Sequence, residues 1–301
     1  MNITLVHAGA LGDTLLLAPL LRGLQQRWPD ATRTVVTRHS FGRLLVEMNL
    51  AEHAADGDDP IHASWFAADS LSLAPPPVPR PGRSPAWSRC DLLISAVSNG
   101  RDSWADHARR FSTARRFLFF NPLPPSDFPG HVSEYHRRQL AALNLPEPAL
   151  PPARLNPGAT VVIHPGGGAQ EKCWSLENFI QVGRELLAVG RRVEFVLGEA
   201  EIERLDAAQV SLLARDFRVH QTPGLGELAK LFRQAAVYLG NDSGPTHLAG
   251  VTGIPTVAIF ISSNARLWRP IGPRIWVLLP GRIPPAPGEL ARRVCRLAEA
   301  R

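Results

Sequence analysis

The same order of local patterns occurs twice in this chain. Each time, a short β-rich run leads into a glycine-containing turn and then into an apolar helical run. In the first half these segments are 3–8, 9–12 and 14–26, and in the second half they are 160–164, 165–168 and 175–189. Strands that alternate with helices in this way are typical of α/β folds with parallel sheets. The chain is therefore predicted to contain two α/β domains.

A Pro-rich stretch at 146–157 separates the two halves and is predicted to be the interdomain linker. We expect an N-terminal domain at 1–150, a C-terminal domain at 158–285 and a terminal helix at 286–301. Each domain is expected to be a doubly wound parallel sheet, and the two are expected to face each other across a cleft. Ligands of such sheets bind beyond the carboxyl ends of the strands.

Composition and charge narrow the class of protein. Hydrophobic residues make up 45% and charged residues 20% of 301 residues, which excludes a disordered or fibrous chain. The formal net charge of +6 favours anionic partners such as nucleotides, phosphorylated substrates or an anionic membrane surface. The three cysteines lie far apart, so neither a disulfide framework nor a zinc site is expected, and a reducing compartment fits. No signal peptide or membrane-spanning segment is predicted.

The first candidate motif is the turn Gly9-Ala10-Leu11-Gly12-Asp13 after the first β-rich run. Its glycines allow a close approach to a ligand, and amides at the following helix start favour an anion, so Gly12 is a candidate phosphate contact. The spacing is not the GxGxxG of dinucleotide-binding proteins, which argues against a nicotinamide-dependent oxidoreductase. Asp13 has two interpretations from this pattern: a helix cap or a catalytic base.

The second candidate motif is HPGGGAQEKCW at 164–174. Three consecutive glycines, among them Gly167 and Gly168, present bare backbone to phosphate oxygens, and Lys172 is a cation that reaches a diphosphate. The motif lacks the GxxxxGK[ST] pattern of a P-loop. The alternative interpretation is a flexible turn with an exposed lysine.

The third candidate motif is GNDSGPTH at 240–247, again between a strand and a helix. Asp242 and Ser243 are expected at the helix cap, with exposed backbone amides from Gly244 onward, and His247 lies one turn into the helix. A capped helix start with a packed histidine is the alternative, but small polar residues at a strand end favour a ligand contact.

Together, the three motifs resemble glycosyltransferase family 9, the ADP-heptose:lipopolysaccharide heptosyltransferases. The matching segments are GALGDTLLLAPLLRGL, HPGGGAQEKCWSLENFIQVGREL, LGEAEIERL and LGNDSGPTHLAGVTGIPTVAIF. The segment at about 40–150 has no such match, and the resemblance implies that the acceptor binds there. Two departures stand out: Ser262-Ser263-Asn264 replaces the usual Gly-Pro-Thr, and Cys173 stands where arginine is common.

The resemblance implies a GT-B fold of two Rossmann-like domains, with the nucleotide-sugar bound mainly by the second domain and the terminal helix packed back on the first. It implies an inverting glycosyltransferase that needs no metal ion or cofactor and moves a sugar, expected to be heptose, from an ADP-sugar. The acceptor would be a lipopolysaccharide core or another surface glycan. The enzyme would be cytoplasmic, with at most peripheral contact between its basic first domain and an anionic inner membrane. Nucleic acid is not an expected partner.

By position, the resemblance assigns Asp13 as general base and Lys172 as the ligand of the diphosphate. Asp242 would lie near the donor sugar and phosphates. The phosphate-binding helix start would comprise Ser243, Gly244 and His247. Either Glu199 or Glu201 would accept hydrogen bonds from the ribose, and the sequence does not decide between them. A non-catalytic nucleotide-sugar or glycan-binding protein of the same fold is the alternative function.

Overall fold

The computed structural model describes residues 1–60, 62, 65–66, 85–168, 173–279 and 286–299. The chain divides into two compact units, Met1–Ala149 and Leu150–Arg301, and the division falls within the Pro-rich stretch. Within the described residues, no helix is both long enough and apolar enough to cross a bilayer.

The first unit is a parallel sheet of five strands in the order β3-β2-β1-β4-β5. The strands are β1 (Asn2–Val6), β2 (Thr32–Thr37), β3 (His53–Asp56), β4 (Leu92–Ser95) and β5 (Arg116–Phe119). The helices of this unit are α1 (Leu11–Leu15), α2 (Ala18–Arg27), α3 (His39–Glu47), α4 (Ser103–Phe111) and α5 (Val132–Gln139). Central strands β1 and β4 are almost wholly buried because both faces of a parallel sheet are covered.

The second unit is a parallel sheet of six strands in the order β11-β10-β9-β6-β7-β8. The strands are β6 (Val161–His164), β7 (Val193–Leu197), β8 (Arg218–Gln221), β9 (Val237–Asn241), β10 (Thr256–Ile259) and β11 (Ile275–Leu278). The helices are α6 (Leu176–Ala188), α7 (Glu199–Arg204), α8 (Ala207–Asp216), α9 (Leu225–Gln234), α10 (Gly244–Thr252), α11 (Ala265–Trp268) and α12 (Pro287–Glu299).

The terminal helix α12 packs against α6 in the second unit. Its buried face belongs to the same core as the strands of the second sheet and consists of Leu290, Ala291, Val294 and Ala298. The packing of this helix on the first domain stays a prediction, but the apolar stripe that would drive it is already buried within the second unit.

In each unit the first strand along the chain lies in the interior of the sheet, and this arrangement determines where the candidate motifs lie. From β1 the chain builds outward through β2 and β3, then returns to the other side for β4 and β5. From β6 it builds through β7 and β8, then returns for β9, β10 and β11. Such a reversal is the topological switch point, where ligands of open α/β sheets bind. The predicted fold class, two doubly wound parallel sheets of the GT-B type, is confirmed, and all three motifs follow strands at a switch point.

Candidate active site

In the first unit, Asp13 lies in the short helix that follows β1. Its Oδ2 accepts a hydrogen bond from the backbone N–H of Ala10 at 3.1 Å, so the side chain does cap the start of α1. The residue is half-buried, and among the described residues no hydrogen bond reaches its Oδ1. Capping therefore occupies one carboxylate oxygen and leaves the other able to accept a proton. Gly12 lies beside Asp13 in the same helical turn.

Two buried histidines accompany Asp13. His7, directly after β1, is 3% exposed, and neither ring nitrogen has a hydrogen-bond partner within the described part of the chain. Burial, with a smaller contribution from His136, lowers the pKa of His7 to about 4. Burial also lowers the pKa of His136, against the raising effects of the Pro122 carbonyl and Asp13. Both imidazoles are therefore neutral near pH 7. A Cβ built on Gly9 would touch both His7 and Asp13, so glycine is required between them.

In the second unit, the glycine loop after β6 is held from several sides. Arg204, at the end of α7, donates hydrogen bonds to the carbonyls of Gly167 at 3.1 Å and Gly168 at 3.3 Å. A Cβ on Gly167 would lie 2.9 Å from Sγ of Cys173, whereas a Cβ on Gly168 would meet no described residue within 4 Å. The loop thus needs glycine for close packing at the first of these two positions.

Asn241 fastens both ends of this loop to the end of β9. Its Nδ2 donates to the carbonyl of Pro165 at 2.7 Å, and its Oδ1 accepts from the backbone N–H of Trp174 at 2.9 Å. Asn241 is fully buried, and these two bonds give both polar atoms of its side chain a partner. The loop that begins after His164 is therefore tied to the neighbouring strand at the switch point.

The two glutamates that the sequence left undecided lie differently. Glu199 is exposed, whereas Glu201 is 7% exposed and its Oε2 accepts from the backbone N–H of Gly198 at 2.9 Å. A Cβ built on Gly166 would lie only 1.9 Å from Oε1 of Glu201. Nε2 of His164 is 3.9 Å from the Glu201 carboxylate, and burial lowers the pKa of His164 against the opposing effect of that carboxylate.

Asp242 follows β9 directly. Its Oδ2 accepts a hydrogen bond from the hydroxyl of Ser263 at 2.6 Å, and its Oδ1 lies 3.6 Å from Nε2 of His247. His247 is buried, and none of the described residues gives its Nδ1 a hydrogen-bond partner. The carboxylate therefore has a polar neighbour at each oxygen.

Helix α10 begins at this same point. Ser243 is its N-cap residue but makes no side-chain cap, because its hydroxyl lies 3.1 Å from the hydroxyl of Thr246. Thr246 in turn bonds the carbonyl of Asn241. Among the residues that the structure describes, no side chain therefore caps the first amides of α10, from Gly244 onward. A helix start without a cap favours an anion.

The structure brings most of the predicted second-domain residues to one edge of the sheet. Gly167 and Gly168 follow β6, and Glu199 and Glu201 follow β7. Four further residues follow β9: Asp242, Ser243, Gly244 and His247. Lys172 lies outside the described residues. Across the part of the chain that the structure describes, no three His, Cys, Asp or Glu side chains are grouped to hold a metal ion.

Sequence reasoning missed Arg204, Asn241 and Ser263, which hold the loops in place. Asn241 lies inside the quoted motif, so its buried position at a strand end was an available signal. Arg204 and Ser263 contact residues 37 and 21 positions away, and no local pattern indicates such pairing.

A family model described as glycosyltransferase family 9 (heptosyltransferase) matches residues 116–289, which is more than half of the chain. Lipopolysaccharide heptosyltransferase 3 of Escherichia coli K12 is 30% identical over 116 residues. That alignment covers 36% of this chain and 33% of the relative, so the chain spans about a third of the length of the curated relatives it matches.

Solved structures resemble the whole chain. E. coli heptosyltransferase WaaC with ADP superposes with a TM-score of 0.72 at 16% identity, covering 99% of this chain and 100% of that one. E. coli ADP-heptose lps heptosyltransferase II gives 0.70 at 17% identity, covering 99% and 98%. At these identities the likeness concerns the fold.

Proposed function

This chain belongs to glycosyltransferase family 9, and we propose that it is an inverting glycosyltransferase that uses an ADP-sugar. The sugar is a heptose, and the acceptor is a hydroxyl of a lipopolysaccharide core or another surface glycan. The observation that carries the proposal is the switch point of the second sheet. The glycine loop after β6, the buried carboxylate of Glu201 and the uncapped start of α10 all lie at this edge of the sheet. Together they offer the groups that a nucleoside diphosphate needs for binding.

The second unit supplies the donor site in this proposal. The first amides of α10 bind the diphosphate, and Lys172 adds a positive charge. As the bond between the sugar and the diphosphate breaks, negative charge grows on the leaving group, and these groups stabilise it without a metal ion. Glu201 is the ribose ligand, because its Oε1 lies at the switch point beside Gly166 and accepts no hydrogen bond from the described residues, whereas Glu199 is exposed.

The first unit supplies the base in this proposal. Asp13 Oδ1 takes the proton from the acceptor hydroxyl while the hydroxyl oxygen attacks the anomeric carbon and ADP leaves from the opposite side. One displacement forms one glycosidic bond, breaks one bond to the diphosphate and inverts the anomeric centre. The proton ends on Asp13 and is then lost to solvent.

A thermal-unfolding panel tests the donor assignment. The protein is unfolded with ADP, UDP, GDP, CMP and NAD, and with ADP-heptose, in the presence of a chelator. A ligand that binds only the folded state at 100 times its Kd adds about 2.7 kcal/mol, or several degrees in Tm. We expect ADP and ADP-heptose alone to stabilise the protein. Stabilisation by UDP or GDP instead would contradict the donor assignment.

A further inference from the structure

We propose that Ser263 is a positioning residue of the donor site, whose hydroxyl fixes the orientation of the Asp242 carboxylate and thereby its recognition of the donor sugar. This inference rests on the proposed function and on the position beside the donor sugar and phosphates that the family resemblance implies for Asp242. It extends that function to a residue in the segment where the sequence departs from the family's usual Gly-Pro-Thr.

Sheet topology brings the two residues together. Strands β9 and β10 are parallel neighbours, with Ile259 opposite Asn241 in the register. Their carboxyl ends therefore lie side by side at the same edge. The backbone N–H of Asp242 donates to the carbonyl of Ile259 at 2.9 Å, which ties the first residue after β9 to the end of β10. Ser263, four residues beyond Ile259, then reaches back to Oδ2 of Asp242 at 2.6 Å.

The backbone that carries Ser263 is held in place by the start of α11. Asn264 is the N-cap residue of that helix, and its Oδ1 accepts from the backbone N–H of Arg266 at 3.1 Å. The Asn264 carbonyl accepts from the N–H groups of Leu267 and Trp268, each at 3.0 Å. The hydroxyl of Ser263 is thus presented from a capped helix start, and little conformational entropy is lost when its hydrogen bond forms.

The hydrogen bond matters because Asp242 lies where the donor's negative charge is expected. A carboxylate that is free to rotate would turn away from a diphosphate. The Asp242 carboxylate instead keeps its orientation, because Ser263 donates to its Oδ2 and His247 lies 3.6 Å from its Oδ1. A hydrogen bond from a hydroxyl to a carboxylate is short and about twice as strong as a neutral one. In that fixed orientation Asp242 accepts hydrogen bonds from sugar hydroxyls, so the effect of Ser263 falls on the sugar more than on ADP.

Three variants test this role. Ser263→Ala removes the hydroxyl, Ser263→Thr keeps it, and Ser262→Ala is the matched control because Ser262 is the exposed neighbouring serine. Titration calorimetry measures the affinity of each for ADP and for ADP-heptose. We expect Ser263→Ala to weaken ADP-heptose binding about 10-fold or more and to leave ADP binding within about 3-fold of wild type. Ser263→Thr and Ser262→Ala should match wild type for both ligands.

A second measurement needs no ligand. The carboxyl carbon resonance of Asp242 in labelled, unliganded protein, assigned with Asp242→Asn, should shift in Ser263→Ala and stay in place in Ser262→Ala. An unchanged resonance in Ser263→Ala would overturn the positioning role, as would equal losses of affinity for ADP and ADP-heptose. If wild-type protein binds neither ligand, the proposed function fails, while the resonance still decides whether Ser263 fixes the carboxylate.

Discussion

The Glu201 carboxylate occupies the space where a side chain on Gly166 would begin. A Cβ on Gly166 would lie 1.9 Å from Oε1 and 2.0 Å from the carboxyl carbon of Glu201. The loop after β6 and the helix after β7 are thus fitted to each other at the switch point, and glycine at 166 is a packing requirement of the candidate donor site.

This contact predicts unequal effects of alanine within the glycine loop. Gly166→Ala must displace Glu201 or the loop, and we expect a loss of about 1–3 kcal/mol in the free energy of unfolding, typical of overpacking, with weaker ADP binding. Gly168→Ala is the matched control for stability, since among the described residues its Cβ meets nothing within 4 Å. Denaturant unfolding compares the two variants, and ADP titration compares Gly166→Ala with wild type. Equal stability of the two variants would contradict the packing argument.

Two of the glutamates of α7, Glu199 and Glu201, allow a test of ribose recognition. Glu201→Ala removes the buried carboxylate beside Gly166, whereas Glu199→Ala removes an exposed one from the same helix. We expect ADP affinity to fall about 10-fold or more in Glu201→Ala, as for a lost hydrogen bond to a charged group, and to stay at the wild-type value in Glu199→Ala. The reverse pattern would assign the ribose to Glu199.

Asp13 caps the start of α1, and the proposed function also makes it the general base. Asp13→Asn separates the two roles. The asparagine side-chain oxygen can still accept from the N–H of Ala10, so the free energy of unfolding should stay within about 0.5 kcal/mol of wild type. The amide cannot take a proton, so the transfer rate should fall by about 10²–10⁴. Asp13→Ala should add the loss of the cap, about 1 kcal/mol. A fully active Asp13→Asn would leave capping as the only function of this residue.

His7 predicts how stability depends on pH. Its pKa falls from 6.5 to about 4 on folding, so below pH 6.5 the unfolded chain binds a proton that the folded protein does not. The free energy of unfolding should therefore fall as the pH drops from about 6.5 to about 4, by about 3 kcal/mol from this residue. His136, whose pKa is also lowered by burial, adds to the same trend.

His7→Leu should flatten that pH dependence, since the buried imidazole is then absent. His39→Gln replaces an exposed histidine and serves as the control, with the dependence of the wild type expected. Denaturant unfolding at several pH values between 4 and 7 measures the trend. A dependence as steep in His7→Leu as in wild type would show that other groups cause it.

The sequence predicts those parts of the fold whose signal lies within a short stretch of neighbouring residues. The motif-bearing strands and helices were predicted because apolar periodicity and glycine turns are local signals. Residues 199–216 form two helices, α7 and α8, and not one, because Asp206 and Gln209 form a capping box that starts a new helix. That signal was present in the sequence.

Other elements carry weaker local signals. Edge strand β8 reads Arg-Val-His-Gln, with no run of apolar residues, and its pairing with β7 decides its conformation. The site divides in the same way. Glycines and caps are local, whereas the bonds from Arg204 and Ser263 join segments that only the folded sheet brings together.

Sugar transfer tests the central claim most directly. Wild-type protein is incubated with ADP-heptose and a lipopolysaccharide core that lacks its outer heptose, in the presence of a chelator, and the mass of the acceptor and the release of ADP are followed together. We predict one added heptose for each ADP released, with no added metal ion. If ADP-heptose binds but no acceptor in a panel of surface glycans gains mass, the result contradicts the claim that the protein is a glycosyltransferase. It would then support a nucleotide-sugar-binding protein of the same fold.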